Sequence, residues 1–155
     1  HSKGTPLKIA VSYLYATALT LGLLAAAQPA AATPARDEPI KTVYHFTNGL
    51  DEATRGLGNI RNHLAADPKA RISVVTNGNG IEFLLDGAKD KNGNPYEVIV
   101  QDLKSKGVDF RVCNNTLVTR KIDPSKVIPD ASIVPSGVAE AAKLQAREGY
   151  VYLRP

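Results

Sequence analysis

The sequence contains one cysteine, Cys113, and neither methionine nor tryptophan. A single cysteine excludes an intrachain disulfide and any zinc site built from several thiolates. The three histidines stand at positions 1, 45 and 63, and their spacing is not typical of metal ligands. We therefore predict no metal site and no cofactor, and a domain that is stabilised by its core rather than by cross-links.

The net charge looks basic only while the first residues are counted. The 155 residues carry 19 basic and 15 acidic side chains, a formal charge of +4, which by itself favours nucleic acid or an acidic membrane as a partner. Residues 1–32 hold two of those lysines and no acidic residue, so the remainder has 17 basic against 15 acidic residues, or +2. No basic run longer than Arg120-Lys121 remains. We therefore predict no nucleic-acid partner.

The first part of the chain has the pattern of an export signal. Residues 9–32 carry no charge and follow Lys3 and Lys8. Their most apolar part, residues 16–27, has the length of a signal-peptide core and is shorter than the roughly 20 residues of a membrane-spanning helix. The alternative is an uncleaved membrane anchor, because the whole uncharged stretch would just cross a bilayer.

Small residues after the apolar part supply two cleavage signals, which end at Ala32 and at Ala35. We predict a signal peptide over residues 1–32, cleaved after Ala32 or after Ala35, followed by a flexible segment over residues 33–40 and a folded domain over residues 41–155. The predicted location is the periplasm, and a membrane becomes a partner only if the signal is not cleaved.

Short apolar runs alternate with helical stretches along the predicted domain. Strands are predicted over residues 42–46, 72–76, 108–113, 132–134 and 150–153. Helices are predicted over residues 51–66, 81–85, 96–106, 117–121 and 137–148. This alternation is typical of βαβ units. The predicted fold class is α/β, a three-layer α/β/α arrangement around a mostly parallel five-stranded sheet.

Ligands of such folds bind beyond the carboxyl ends of the strands, where the loops converge. Four predicted loops lie there and are rich in residues that turn tightly. The ligand-binding residues that we predict in them are Asn48, Gly49, Asn77, Gly78, Asn79, Gly80, Asn114, Asn115, Thr116, Ser136 and Gly137. The loop at residues 77–80 has the glycines of an anion-binding turn, but those glycines also fit a tight turn without a ligand.

Cys113 is the candidate nucleophile because it ends the third predicted strand, at the edge where reactive groups lie. Arg111 shares its face of the strand at a distance of roughly 7 Å, where a positive charge favours a thiolate. A helix that begins just after Cys113 would add to this effect. The alternative is that Cys113 is a small buried hydrophobic residue and that Arg111 pairs with Asp109 or lies in a subunit interface. An unpaired thiol in an exported protein favours the reactive alternative.

The two internal histidines have predicted roles in packing rather than in catalysis. His45 lies in a strand that we expect to be buried on both faces, where a hydrogen-bonded core histidine is usual. His63 precedes Leu64 on the first helix, and we expect it to be capped or to lie in an interface.

The stretch Val108–Leu117, with Cys-Asn-Asn-Thr-Leu at its centre, resembles the DsrE/DsrF-like family of sulfur-relay proteins, which have a YchN-like fold. Further similarity, to the exported branch of that family, lies at residues 44–45, 59–64, 78–83, 134–138, 145 and 148–150. The resemblance implies a three-layer α/β/α fold and homo-oligomers, often trimers or hexamers. It also implies that Cys113 corresponds to the cysteine that carries a persulfide.

Two hypotheses follow from the sequence. The first is a periplasmic sulfur carrier or sulfurtransferase-like protein, in which Cys113 accepts sulfane sulfur and Arg111 helps to hold it as a thiolate. Its partners would be sulfur donor and acceptor proteins or small sulfane-sulfur compounds. The alternative is a non-enzymatic oligomeric module that binds a small ligand at the same loops and keeps Cys113 buried and unreactive.

Overall fold

The computed structural model describes residues 37–155 of the chain. The predicted signal peptide, both cleavage positions and the first part of the 33–40 segment lie outside the described residues. No helix within residues 37–155 is both long enough and apolar enough to cross a membrane.

The described residues form one five-stranded sheet in which every neighbouring pair is parallel. Its order is β4-β3-β2-β1-β5, so the chain moves outward from β1 to β4 and then returns to the other side of β1. The strands are β1 (Lys41–Phe46), β2 (Arg71–Thr76), β3 (Asp109–Cys113), β4 (Ser132–Val134) and β5 (Val151–Leu153). The predicted α/β class and the five parallel strands are confirmed.

Four α-helices and two short 3₁₀ helices connect the strands of the described part. The helices are α1 (Leu50–Ala66), α2 (Tyr96–Ser105), α3 (Asn114–Thr119) and α4 (Gly137–Glu148), with 3₁₀ helices over Gly78–Leu84 and Pro124–Lys126. Two helix starts differ from the prediction by three residues, and the other predicted helices and strands begin within one residue of it. The 3₁₀ helix begins at Gly78 and not at residue 81, and α3 begins at Asn114 and not at residue 117. Asparagine, threonine and glycine are weak helix formers, so hydrophobic periodicity missed these first turns.

The two faces of the sheet are covered unequally. The larger core joins α1, α2 and the first 3₁₀ helix to one face, and its centre is Phe83, whose ring centroid lies 5.4 Å from that of Phe46 and 6.3 Å from that of Phe110. Side chains of a strand alternate between faces. Val75 therefore points away from this core. With Val43 it packs against Ala141 and Leu144 of α4 and against Tyr150. The α4 helix alone covers this second face within the described residues.

This topology brings three loop starts to the same edge of the sheet. Because neighbouring strands are parallel, Thr76, Cys113 and Val134 end β2, β3 and β4 side by side. The loops that follow these strands begin the first 3₁₀ helix, α3 and α4. The candidate site is built from these three starts.

Candidate functional site

Cys113 lies at the junction of β3 and α3, where it is the residue that precedes the first turn of the helix. Its side chain is a free thiol and is 5% exposed. It lines a cavity of about 330 Å³ between the ends of β2, β3 and β4. The residues that line this cavity, here called the thiol cavity, are Asn77, Gly78, Cys113, Asn115, Thr116, Thr119, Arg120, Ser136 and Val138.

Four N–H and O–H groups near Cys113 influence the pKa of its thiol. Burial raises the pKa of the thiol, but the donors lower it by more, so its pKa lies below the usual value. The donors are the N–H of Gly137, the hydroxyl and the N–H of Thr116, and the N–H of Asn115. The N–H of Asn115 also donates to the carbonyl of Pro135 at 3.3 Å. The N–H groups belong to the first turns of α4 and α3, where a helix provides no acceptor of its own. Two helix starts therefore stabilise one thiolate.

The hydroxyl of Thr116 connects two of the converging loops. The N–H of Gly78 donates to Thr116 Oγ1 at 2.9 Å, so the single hydroxyl hydrogen of Thr116 is available to the sulfur of Cys113. Gly78 has a φ of 57°, a left-handed conformation that favours glycine. The loop after β2 thereby holds the donor that α3 presents to the thiol.

Arg111 faces α4, as Cys113 does, but its guanidinium bonds to carboxylates. Its Nε donates to Asp109 and its Nη1 to Glu140. Burial opposes the charged form of Arg111, yet the bonds with Asp109 and then Glu140 outweigh it and raise the pKa of the guanidinium. The bond with Asp109 is the alternative that the sequence left open, whereas the bond with Glu140 was not predicted. The contacts that lower the thiol pKa come from N–H and O–H donors around Cys113.

Three of the four predicted loops meet at Cys113. Asn77, Gly78, Asn115, Thr116 and Ser136 line the thiol cavity, and Gly137 lies against Cys113 with an N–H that lowers the pKa of the thiol. The other predicted residues lie elsewhere. Asn48 and Gly49 line a separate cavity together with Glu52, Arg55 and Glu82, whereas Asn79, Gly80 and Asn114 line neither cavity.

The loop after β1 is held by α1 and does not reach the thiol. The carboxylate of Glu52, which is 4% exposed, accepts the N–H groups of Thr47, at 2.8 Å, and of Asn48. An acidic residue in the first turn of a helix is also favoured by the helix dipole. The role that the structure assigns to this loop is therefore structural.

Replacing Glu52 by alanine is expected to lower the free energy of unfolding by about 2–3 kcal/mol, because it leaves two N–H groups without their acceptor. The loss is measured by chemical denaturation. Asp51→Ala is the matched control: it removes an exposed carboxylate paired with Lys91, and such surface pairs contribute about 0–1 kcal/mol. Equal losses in the two variants would contradict this role of Glu52.

Sequence reasoning missed three residues of the thiol cavity, namely Thr119, Arg120 and Val138. Arg120 donates to the carbonyl of Gly78 at 3.4 Å and to Glu82 at 3.3 Å. Helical spacing could have placed residues 119 and 120 in the cavity. They stand four positions after Asn115 and Thr116 and so share their face of the helix. This spacing is informative only if the helix begins at Asn114, and the hydrophobic pattern did not predict that start.

Both internal histidines are hydrogen-bonded outside the thiol cavity. His45 is buried, as predicted, with its Nδ1 at 2.8 Å from the hydroxyl of Tyr152 and its Nε2 bonded to the Oδ1 of Asn77. His63 Nδ1 lies 2.9 Å from the hydroxyl of Tyr44. His45 therefore fixes Asn77 at the edge of the cavity. Residues 37–155 contain no group of three or more histidine, cysteine or acidic side chains that would suit a metal ion.

Comparison with known proteins extends over most of the chain. A family model described as "DsrE/DsrF-like family" matches residues 30–155. The structure of a protein of unknown function, MTH1491 from Methanobacterium thermoautotrophicum, is 29% identical, with a TM-score of 0.66 over 75% of this chain and 99% of that one. The ychN protein from E. coli is 15% identical, with a TM-score of 0.60 over 76% of this chain and 99% of that one, which is a likeness of fold alone. No curated protein matches the sequence.

Proposed function

This chain belongs to the DsrE/DsrF-like family, and from that premise we propose that it is a sulfur carrier or sulfurtransferase-like protein that holds sulfane sulfur as a persulfide on Cys113. The observation that carries the proposal is the thiol of Cys113, which lines a cavity and has its pKa lowered by four donors. A thiolate is the form of cysteine that reacts with sulfur compounds. The pattern of residues 1–32, which predicts an export signal, supports the periplasm as its location.

The proposed reaction transfers one sulfur atom without net oxidation. The thiolate of Cys113 attacks the outer sulfur of a donor R–S–S⁻. The new S–S bond forms as the donor S–S bond breaks, and R–S⁻ leaves with the electron pair. In the second half, an acceptor thiolate attacks the outer sulfur of the persulfide and Cys113 leaves as a thiolate. The donors that lower the pKa of Cys113 favour it both as nucleophile and as leaving group.

The shape of the site supports a small donor. Cys113 is only 5% exposed, and the cavity volume of about 330 Å³ lies at the lower end of the range for small-molecule pockets. Arg120 is the charged residue among those that line the cavity, and it favours an anionic donor such as thiosulfate or a low-molecular-weight persulfide. With thiosulfate, sulfite is the leaving group.

The exposed edge of the sheet supports a homo-oligomer, and we propose a trimer or hexamer. Val151, Tyr152 and Leu153 of the edge strand β5 are 51%, 39% and 40% exposed. β5 pairs with β1 on one side only. The open side of an edge strand with apolar side chains is a surface that proteins commonly cover.

The test of the carrier proposal is sulfur loading. The reduced 155-residue chain is incubated with thiosulfate and, separately, with inorganic polysulfide, and its intact mass is measured. We expect a gain of one sulfur atom that a dithiol reductant removes. Because Cys113 is the single cysteine, Cys113→Ser is a matched control that loses the adduct completely. A wild-type chain that gains no sulfur from either donor, or a serine variant that keeps the gain, contradicts the proposal.

The burial of Cys113 favours a second candidate, an oligomeric module that binds a small ligand in the same cavity and does not react. Its experimental signature differs from that of a carrier. The thiol of the folded protein would resist iodoacetamide as well as sulfur donors, and it would react only after unfolding. Rapid alkylation of the folded protein would exclude this candidate.

A further inference from the structure

Arg111 and Glu140 join the two elements that bear the thiol and one of its donors. Arg111 lies on β3 two residues before Cys113, and Glu140 lies on α4 three residues after Gly137. The guanidinium of Arg111 bonds to the carboxylate of Glu140, so it ties the end of β3 to the first turn of α4. The carrier chemistry itself uses neither side chain.

The ion pair is itself firmly held on the β3 side. Arg111 also bonds to Asp109, whose carboxylate accepts the hydroxyl of Ser73 on the neighbouring strand β2 at 3.0 Å. Glu140 is 7% exposed, and breaking a buried ion pair is costly because the remaining charge stays uncompensated. The other charged or titratable groups beside the pair are Lys143 on α4, which is 3.0 Å from Glu140, and Tyr150 before β5.

Few other polar contacts hold the start of α4. The carbonyl of Pro135, just before this helix, accepts the N–H of Asn115 at 3.3 Å. Its cap, the hydroxyl of Ser136, accepts the N–H of Ala139 at 3.3 Å, which is a long hydrogen bond. The strand before it, β4, has three residues and lies at the edge of the sheet. Gly137 nevertheless sits very close to its neighbours. A Cβ added there would lie 2.9 Å from the carbonyl oxygen of Thr76 and 3.2 Å from the Cβ of Cys113.

We propose that Arg111 and Glu140 are positioning residues, which hold the first turn of α4 so that the N–H of Gly137 points at the sulfur of Cys113. The inference deepens the proposed function, because it identifies what keeps the nucleophile ready. It also revises the direct action of Arg111 on the thiolate that the sequence suggested. Arg111 acts through Glu140 and Gly137, and its charge is shared with two carboxylates.

The pKa of the Cys113 thiol distinguishes a positioning role of this ion pair from a direct effect of its charges. The two mechanisms predict the same change when Arg111 is replaced and opposite changes when Glu140 is replaced. Removing the positive charge of Arg111 raises the thiol pKa under either mechanism. Removing the negative charge of Glu140 lowers the thiol pKa if only the charge matters, because a nearby anion disfavours a thiolate. If Glu140 positions Gly137, its removal instead raises the thiol pKa, because the sulfur loses a donor.

The experiment measures the rate at which iodoacetamide alkylates Cys113 of the full chain as a function of pH. We expect Glu140→Ala and Arg111→Met each to slow alkylation about fivefold at neutral pH, which corresponds to the loss of one net hydrogen bond, and to move the pH midpoint of the rate upward. Lys143→Gln removes the exposed partner of Glu140 that does not touch β3, and we expect it to alter neither value. Circular dichroism confirms that each variant is folded.

Arg111→Lys covers the case in which Arg111→Met does not fold. Lysine keeps the charge but cannot bond to both carboxylates in the planar geometry of arginine, so we expect the midpoint to rise. A midpoint that falls or stays unchanged in Glu140→Ala, or that rises equally in Lys143→Gln, overturns the inference. Because alkylation needs no sulfur donor, a failure of sulfur loading with these shifts intact would refute the carrier proposal alone.

Discussion

Replacing Thr116 by valine is expected to slow the alkylation of Cys113 about tenfold at neutral pH. The hydroxyl of Thr116 is one of the groups that lower the pKa of the thiol. A hydrogen bond to a charged group contributes about 1.5–3 kcal/mol, where 1.4 kcal/mol corresponds to a factor of ten. The donors hold the thiol pKa below its usual value. Loss of one donor therefore raises this pKa, decreases the thiolate fraction at fixed pH, and moves the midpoint of the rate to higher pH.

Two variants give this prediction its controls. Thr116→Ser keeps the hydroxyl and should retain most of the rate. Thr42→Val makes the same chemical change on β1, at a buried hydroxyl that has no hydrogen-bond partner among the described residues, so it should leave the rate unchanged and stability equal or higher. If Thr116→Val has the same pH midpoint of alkylation as the wild type, this hydroxyl does not control the pKa of the thiol.

Replacing Gly80 by alanine is expected to lower the free energy of unfolding by about 3 kcal/mol, at the upper end of the usual cost of overpacking. A Cβ at this buried position would lie 2.1 Å from the carbonyl oxygen of Phe46 and 2.7 Å from the nitrogen of Thr47. Both are backbone atoms of the β1 end, so neither can move as a flexible side chain would. For a domain of this size we expect the melting temperature to fall by about 10 °C.

Gly58→Ala is the control for the same substitution where there is room. Gly58 lies inside α1, and an added Cβ would have no atom within 4 Å. Alanine there should stabilise the protein by about 0.5–1 kcal/mol, because it favours the helix more than glycine does. Thermal unfolding of both variants measures the difference. A Gly80→Ala protein as stable as Gly58→Ala would mean that the contact between Gly80 and Phe46 is not tight.

The regular parts of the fold were predictable because they depend on local patterns. The apolar run at residues 72–76 and the periodicity of residues 137–148 correspond to β2 and α4. The alternation of such elements then determines a parallel sheet. The position of Cys113 at the end of β3 follows from the same local pattern, so the candidate nucleophile could be identified from the sequence.

The surroundings of the thiol could not be predicted in the same way, because contacts between distant loops determine them. The bond from Gly78 to Thr116 spans 38 residues, and no local pattern encodes it. The pair of Arg111 with Glu140 joins residues 29 positions apart. The loop at Asn48 was predicted to belong to the site, but Glu52 holds it elsewhere. Sequence reasoning therefore named the candidate nucleophile and several loop residues beside it, but not the contacts that join them.

The pairing of β5 with β1 has a consequence for how the protein folds. Tyr152 on β5 bonds to His45 on β1 across 107 residues, and His45 in turn bonds to Asn77 at the thiol cavity. Contacts between such distant residues require large loops to close and make folding slow. We infer that β1, in the interior of the final sheet, has an open edge until β5 arrives. The support that Tyr152 gives to Asn77 through His45 therefore forms only once β5 has paired with β1.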